Sequence, residues 1–465
     1  MAGIVVCGAG VVGLATAVML ARDGHQVTVL DADAEHAPEN PRQAWSDWSR
    51  RGVAQFRQPH QLMRRFQAVC DEELPDVTQR LLAAGCVWVN YLESLPRSVT
   101  DRSPRPGDEH FPFVTGRRPV VEAVFAELAA EQPGVTVRRG VQVSGVLTGA
   151  SALPGVPHVT GVVTAEGEQL PADLVIDATG RRTRTTQWLL DAGAAPPLTE
   201  ATDLGYVYYT RYYTGPERPR LMGRALAPIG SFSLLTLYGD NDTWSVTIYG
   251  SSGDGPLKAV REPRTFDRVL AACPLQAHWT DGCPVGGVYA MAGVLDRYRR
   301  LVVDGRPVVT GFTAVGDAWA STNPSAGRGL AIGVLQAQQL RHALRAHRDG
   351  PADLAFDLDE RTEREVTPFY RYQVGVDRAR IAEMTALRDG APPPPPAPGS
   401  TALVAAAAFD GDAYRGLLDI VFCMAQPHEV AARPAVRAAI ERHGDAPVPS
   451  TPGPDRAQLE RLLAE

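Results

Sequence analysis

The sequence predicts an α/β protein. A parallel-sheet domain is assembled from separated segments, an antiparallel β-rich lobe is inserted into it, and a helical part follows. Three stretches predict this. GIVVCGAGVVG (residues 3–13) runs into a helix-like segment and then QVTVLD (26–31). DLVIDATG (173–180) repeats the pattern of an apolar strand ending in a turn. The third, GFTAVGDAWASTNPSAGRGLAIG (311–333), joins a strand to a helix through a proline- and glycine-rich loop. Short apolar runs bounded by glycine are the mark of strands buried on both faces.

In the first stretch, Ile4–Cys7 reads as a buried strand and Leu14–Asp23 as a helix ending at Gly24. Gly8, Gly10 and Gly13 form G-x-G-x-x-G between them. Each glycine has a reason: Gly8 for the tight turn, Gly10 for close approach of a pyrophosphate, Gly13 for close helix–strand packing. The helix start offers free N–H groups and a positive dipole end to phosphate. Asp31, closing the second strand, is placed to accept from a ribose diol. Alone, such a turn also packs purely structural βαβ units. Asp31 does not distinguish NAD from FAD.

In the second stretch, Leu174–Ile176 reads as a strand, with Asp177 and Gly180 closing the turn. An ordinary strand end has the same look. In the third, Pro307–Val315 reads as a strand ending at Gly316-Asp317, Pro324–Gly329 as a loop, and Leu330–His347 as a helix. Amides at such a loop and helix start stabilise negative charge, although a plain helix cap would use them too.

Between the second and third stretches the texture changes. Residues 205–213, 231–238 and 243–249 read as aromatic-rich strands separated by turns such as GDND (239–242). The expected domains are therefore discontinuous. Segments 1–95, 110–190 and 300–350 build the nucleotide-binding domain, and 191–299, with part of 95–110, builds a substrate-binding β-sheet domain. The C-terminal helical region is 351–465. Within it, Asp353–Arg378 is charged and helix-like, PPPPPAP (392–398) reads as a stiff linker, and 402–465 as a small helical appendage. Covering the active site, pairing two copies as a homodimer and capping the fold are the roles open to that appendage.

Composition excludes several classes. The formal charge is −7 and the pI near 5.9, which favours neither nucleic acid nor an anionic membrane. Lys258 is the only lysine, so any lysine-dependent chemistry would have to use it. The six cysteines show no metal-ligand spacing, so no metal site is expected, and scattered thiols suggest a reducing, cytoplasmic setting. No signal-type segment and no apolar run of membrane-spanning length is read.

The three stretches, in this order and spacing, resemble the FAD-binding segments of flavoprotein monooxygenases of the para-hydroxybenzoate hydroxylase fold. The resemblance covers residues 1 to about 350. It implies a Rossmann-like FAD-binding domain with an inserted antiparallel β-sheet substrate domain and a C-terminal helical segment. It also implies that Asp317, after Gly316, contacts ribityl and pyrophosphate oxygens. The loop from Pro324 through Gly327 and Gly329 would lie against the pyrimidine side of the flavin, its amides facing N1 and O2. TGRRPVVEAVFAEL (115–128) resembles the family's arginine-led helix, with Arg118 reaching the flavin linker, and residues 135–143 the strand whose backbone, at Val143, meets the adenine. RGVAQFRQPH (51–60) resembles the segment beside the isoalloxazine in relatives that include polyether epoxidases, making Gln55, Arg57 and His60 candidates.

The resemblance also carries departures. Asp31-Ala32-Asp33 replaces the usual glutamate-arginine, so an arginine contact to adenine is missing or comes from elsewhere. Asp177 and Gly180 are separated by Ala178-Thr179, as in flavin halogenases, geranylgeranyl reductases and the epoxidase-like branch. Halogenation is disfavoured: Trp45 and Trp48 have W-x-x-W spacing rather than W-x-W-x-I-P, and the first lobe has no lysine. There is no second G-x-G-x-x-G unit. NAD(P)H is thus expected either to bind transiently or to act through a separate flavin reductase.

The expected function is an FAD-dependent monooxygenase of the epoxidase-like, natural-product tailoring branch. It would insert one atom of O2 into a small organic substrate, by hydroxylation or epoxidation, through a flavin C4a-hydroperoxide in secondary metabolism. A reductase or dehydrogenase of the geranylgeranyl-reductase type, without oxygen insertion, is the alternative, and a non-enzymatic FAD-binding module the third reading. The aromatic strands would roof a dry pocket, with Tyr208, Arg211, Tyr213, Tyr238 and Tyr249 as candidate lining residues. Alternation along a strand turns about half of them away. No catalytic base is assigned.

Overall fold

A computed structural model describes residues 1–347, 350–396 and 399–465. Its centre is a five-stranded parallel sheet with the order Phe312–Ala314, Leu174–Asp177, Gly3–Cys7, Gln26–Asp31, Val135–Arg139. All four pairings are parallel. The apolar runs read from sequence are buried on both faces, as a parallel sheet requires. Alternate residues serve different cores. Ile4, Val6 and Ile176 pack with the helices Val11–Arg22, Arg118–Glu131 and Gly329–Ala346. Val5, Cys7 and Val175 pack on the opposite face with Val159, Val162 and Trp188.

That opposite face is covered by an antiparallel meander, Val143–Leu153, Val156–Thr164 and Gln169–Pro171, which the sequence reading did not identify. The glycine-turn helix begins at Val11 rather than Leu14, so Gly13 lies within its first turn. Gly24, at φ +87°, follows its end as expected.

The inserted lobe is a five-stranded antiparallel sheet in the order Leu226–Ile229, Phe232–Tyr238, Thr243–Ser251, Tyr206–Thr214, Cys283–Ala292. The three strands read from sequence are its centre. The side chains of Arg117 and Asp240 tie its hairpin to the parallel domain. Arg117 Nη2 and Nε donate to the carboxylate at 2.7 and 3.0 Å, and its backbone N–H at 2.7 Å, all buried.

The C-terminal region is built into the fold rather than appended to it. Asp353–Arg378 is not one helix but parts of two, Pro351–Glu365 and Thr367–Arg388, broken where Pro368 prevents continuation. Ala406, Phe422 and Cys423 enter the core of the parallel domain. Leu459 and Leu463, from the helix Arg456–Ala464, instead enter the core of the antiparallel lobe. Of the proline-rich stretch, residues 392–396 are exposed and irregular, and Ala397 and Pro398 lie outside the described residues. All six cysteines are free, and only Cys283 is exposed.

Candidate active site

A cavity of about 780 Å³ opens at the carboxyl ends of the parallel strands, where open α/β sheets bind ligands. Two helix starts face it. The helix Val11–Arg22 has Gly10 as its N-cap with no side-chain capping bond, and a Cβ added at Gly10 would meet nothing within 4 Å. The turn therefore presents bare backbone to the cavity. Gly8 is at φ +111°, and a Cβ there would come within 2.4 Å of Ala178 O; one on Gly13 would come within 2.1 Å of Gly8 O. All three glycines line the cavity. The helix Gly329–Ala346 also starts without a side-chain cap, after Gly327 in the left-handed region at φ +69°. Two uncapped helix starts suit a ligand carrying negative charge at two separated points.

Asp31 lines the cavity and is held in place. Its Oδ2 accepts from Ala9 N–H and from Arg50 Nη2, both at 2.6 Å. Arg50 also donates to Glu122 Oε2 at 2.8 Å and Ala9 O at 2.7 Å, and reaches Asp33 at 3.3 Å. Arg50 thus stands beside Asp31, where the sequence reading expected an arginine to be missing or to come from elsewhere. It comes from residues 47–50, well outside the strand. Burial opposes the charge of Glu122, but Arg118 and Arg50 outweigh it and hold its carboxyl below the ordinary range.

Arg118 lines the cavity, donating from Nε to Glu122 at 2.6 Å and from Nη1 toward His60 Nε2 at 3.1 Å. A guanidinium can only donate, so His60 Nε2 accepts and its Nδ1–H donates to Gln58 O at 2.9 Å. Burial, then the Arg118 charge, pushes His60 down to about 3. His60 lines the cavity as a neutral ring with both nitrogens engaged. Asp317 lines it too, with Gln55 Nε2 at 3.5 Å. Burial raises its carboxyl above the ordinary value, opposed by Arg118 and Arg181. Gly316 N–H is anchored by Gln336 Oε1 at 2.9 Å. Val143, Gly180, Gly316, Pro324, Gly327 and Gly329 complete the cavity residues expected from sequence.

Other sequence candidates stand elsewhere. Asp177 is fully buried and off the cavity. Thr179 N–H and Oγ1 donate to its Oδ1 at 2.8 and 2.6 Å, and the hydroxyls of Thr183 and Thr185 to its Oδ2. It shapes the turn that brings Gly180 and Arg181 to the cavity. Arg57 does not line the cavity either. It donates to Trp45 O and to Trp48 O, and its guanidinium lies 4.6 Å from the Trp45 ring, which Arg117 also approaches at 4.4 Å. Trp45 is thereby accounted for as packing. Arg211 and Tyr213 both turn to Asp267, and Tyr238 donates to Pro219 O at 2.8 Å and stacks on Trp279. Tyr208 gives its hydroxyl to Asn323 and stacks on Tyr249. None of these tyrosines lines the cavity, because each found a nearer partner within the sheet or beneath it.

The sequence reading assigned no role to Arg181, Arg182, Arg184 and Arg297, which do line it. The run RRTR after Gly180 was the available signal.

A family profile described as "FAD dependent oxidoreductase" matches residues 3–104. The chain is 30% identical over 403 residues to Protein Rv3254 of Mycobacterium tuberculosis, covering 79% of this chain and 78% of the relative. The chain belongs to the FAD-dependent oxidoreductases. In fold, this FAD-dependent oxidoreductase resembles PqsL of Pseudomonas aeruginosa, a probable FAD-dependent monooxygenase. The TM-score is 0.57 at 16% identity, covering 83% of this chain and 97% of the other. It also resembles the Diels-Alderase PyrE3 of pyrroindomycin biosynthesis, with TM-score 0.59 at 17% identity, covering 91% and 80%. The residues present fit the cofactor of this oxidoreductase: bare glycine turn, acidic strand end and two uncapped helix starts share one cavity. Among the described residues of the oxidoreductase, no helix is long and apolar enough to cross a membrane.

Proposed function

We propose that this oxidoreductase is a monooxygenase that places one atom of O2 on a small organic substrate, by hydroxylation or epoxidation. The observation that carries the reading is one cavity faced by two uncapped helix starts, with Ala292 at the end of the antiparallel sheet on its lining and none of that sheet's tyrosines in it. When bound, FAD would supply the oxygen-activating redox chemistry. Gly8, Gly10 and Gly13 with the first turn of Val11–Arg22 would hold its pyrophosphate, Asp31 a ribose, Asp317 the ribityl chain, and Gly327–Leu330 the pyrimidine edge.

The chain's own residues bind and exclude water. Arg118 projects a charge into the cavity from a buried ion pair. His60 fixes that guanidinium and, being neutral with its Nδ1–H committed to Gln58 O and its Nε2 to Arg118, offers the cavity no free donor or acceptor. The sheet's tyrosines are turned away, leaving no phenol to act as a base from the roof. A substrate that needs no deprotonation, such as an alkene, suits this lining. The arginine- and proline-rich composition is in keeping with a tailoring role in secondary metabolism. Electrons would come from NAD(P)H binding transiently or from a separate flavin reductase.

The test uses protein loaded with FAD under anaerobic conditions. NADH or NADPH is added first, then a flavin reductase if the flavin band does not bleach. Candidate substrates are then supplied with heavy-isotope dioxygen. Label from O2 in the product is expected. Equal product formation without O2 would overturn the reading in favour of a reductase.

A further inference from the structure

The loop Asn323–Gly329 rests on a buried polar cluster contributed by three other elements. Ser325 lies between residues that line the cavity, yet is itself turned away from it. Its hydroxyl donates to Asp377 Oδ1 and its oxygen accepts from Gln373 Nε2 at 3.0 Å. Gln373 Nε2 also reaches Asp377 Oδ2 at 2.9 Å. Both residues come from the helix Thr367–Arg388. Two residues earlier in the loop, Asn323 N–H donates to Asp296 Oδ1 at 2.6 Å, and the Asn323 side chain accepts from Tyr208.

Two features set the cluster apart. Asp377 and Asp296 are each 1% exposed, and neither forms an ion pair among the described residues. Most other buried carboxylates here, Asp31, Glu73, Glu122, Asp240 and Asp254, are paired with arginine. The cluster also contains unsatisfied buried atoms: Asp296 Oδ2, Gln373 Oε1 and, at the loop's end, Arg328 Nη1. Acceptors left without donors beside two unpaired carboxylates are what a site that takes up a proton looks like.

We propose that Asp377 is a proton-dependent positioning residue. With Asp296, it sets the charge behind the loop Asn323–Gly329 and thereby how readily a flavin resting on that loop accepts electrons. The inference rests on the assignment of this loop to the flavin side of FAD. Reduced flavin is negative at N1 and O2, so a negative charge behind the loop disfavours it. A protonated cluster favours it. Burial raises Asp377 to about 7, partly offset by the Ser325 and Gln373 hydrogen bonds, and Asp296 is raised by burial as well. The other groups facing the cluster are Arg328 from the loop, Asp203 beside Asp296, Tyr206, Tyr208 and Tyr249 from the sheet, and Tyr370, Arg378 and Arg380 from the same helix. The arginines oppose the effect and no contact ion pair cancels it.

The experiment measures the midpoint potential of the bound flavin by dye equilibration against dithionite across neutral pH, for the wild type and Asp377→Asn. The wild-type potential is expected to fall below that of the variant as pH rises and to converge with it on the acid side. Ser325→Ala retains the carboxylate but loses its donor, so its divergence point is expected to move to higher pH. Superimposable curves for the wild type and Asp377→Asn would overturn the proposal. If Asp377→Asn does not fold, an unmoved curve for Ser325→Ala would overturn it. A wild-type protein that cannot be loaded with FAD would overturn the cofactor assignment beneath it, an outcome separate from both.

Discussion

The parallel-sheet edge and the antiparallel roof both carry polar side chains, and they use them differently. At the parallel edge, the glycine turn and Asp317 are left open toward the cavity. Gly10 has empty space before it, and Asp317 has only Gln55 in reach. In the roof, Arg211 and Tyr213 share Asp267, Tyr238 takes Pro219 O, and Tyr208 takes Asn323. These roof candidates found partners when the chain folded, whereas the glycine turn and Asp317 keep groups free for a ligand. The difference teaches that residue type alone, even aromatic and basic residues in the right lobe, does not mark a binding site.

The comparison can be broken most forcefully at the parallel edge. Arg50→Ala leaves Asp31 and Glu122 buried without their shared cation, and an uncompensated buried charge costs about 3–5 kcal/mol. Loss of that size in denaturant unfolding, with loss of flavin content, is expected. Gly8→Ala would add about 1–3 kcal/mol of backbone strain and a steric clash with Ala178 O. Gly10→Ala, with open space at its Cβ, should melt like the wild type and lose FAD affinity only.

Next in size is the contrast between two strand-end carboxylates. Asp317→Asn is expected to weaken FAD binding about tenfold or more, on the scale of a hydrogen bond to a charged group, with little change in melting temperature. Asp177→Asn should do the reverse, since its four donors all belong to its own turn. Equilibrium titration with FAD beside thermal melts separates the two.

A smaller effect concerns pH. His60 is about 3 in the fold and near 6.5 when unfolded. Below about 6.5 the unfolded chain takes up a proton that the native ring refuses. Its contribution to stability is therefore complete above that value and declines as pH falls toward 3. His60→Gln should flatten the acid side of the stability profile, read as melting temperature against pH. The smallest effect belongs to the roof: Tyr213→Phe removes one bond to a half-exposed carboxylate, worth about 0.5–1.5 kcal/mol, and should leave FAD affinity unchanged.

Sequence alone determined the parallel-sheet core, the glycine turn, the second and third strand–turn units and the central strands of the roof. These depend on short-range rules: glycine where a Cβ has no room, apolar runs where both faces are buried, alternation where one is. Most of the cofactor cavity was legible for the same reason, because Gly8, Gly180 and Gly316-Asp317 follow the ends of locally readable strands and Gly10 and Gly13 open the helix after one of them. Only the tertiary structure decided which long polar side chains reach the cavity. Arg50 was drawn to Asp31 across 19 residues, Asp177 was consumed by its own threonines, and the roof tyrosines were claimed by partners up to 171 residues away. It also decided that the C-terminal helices belong to both cores and that Asp377 lies beneath the loop at Ser325. A long polar side chain can satisfy itself in many directions, and only packing selects one. A glycine turn at the end of a buried strand has far fewer choices.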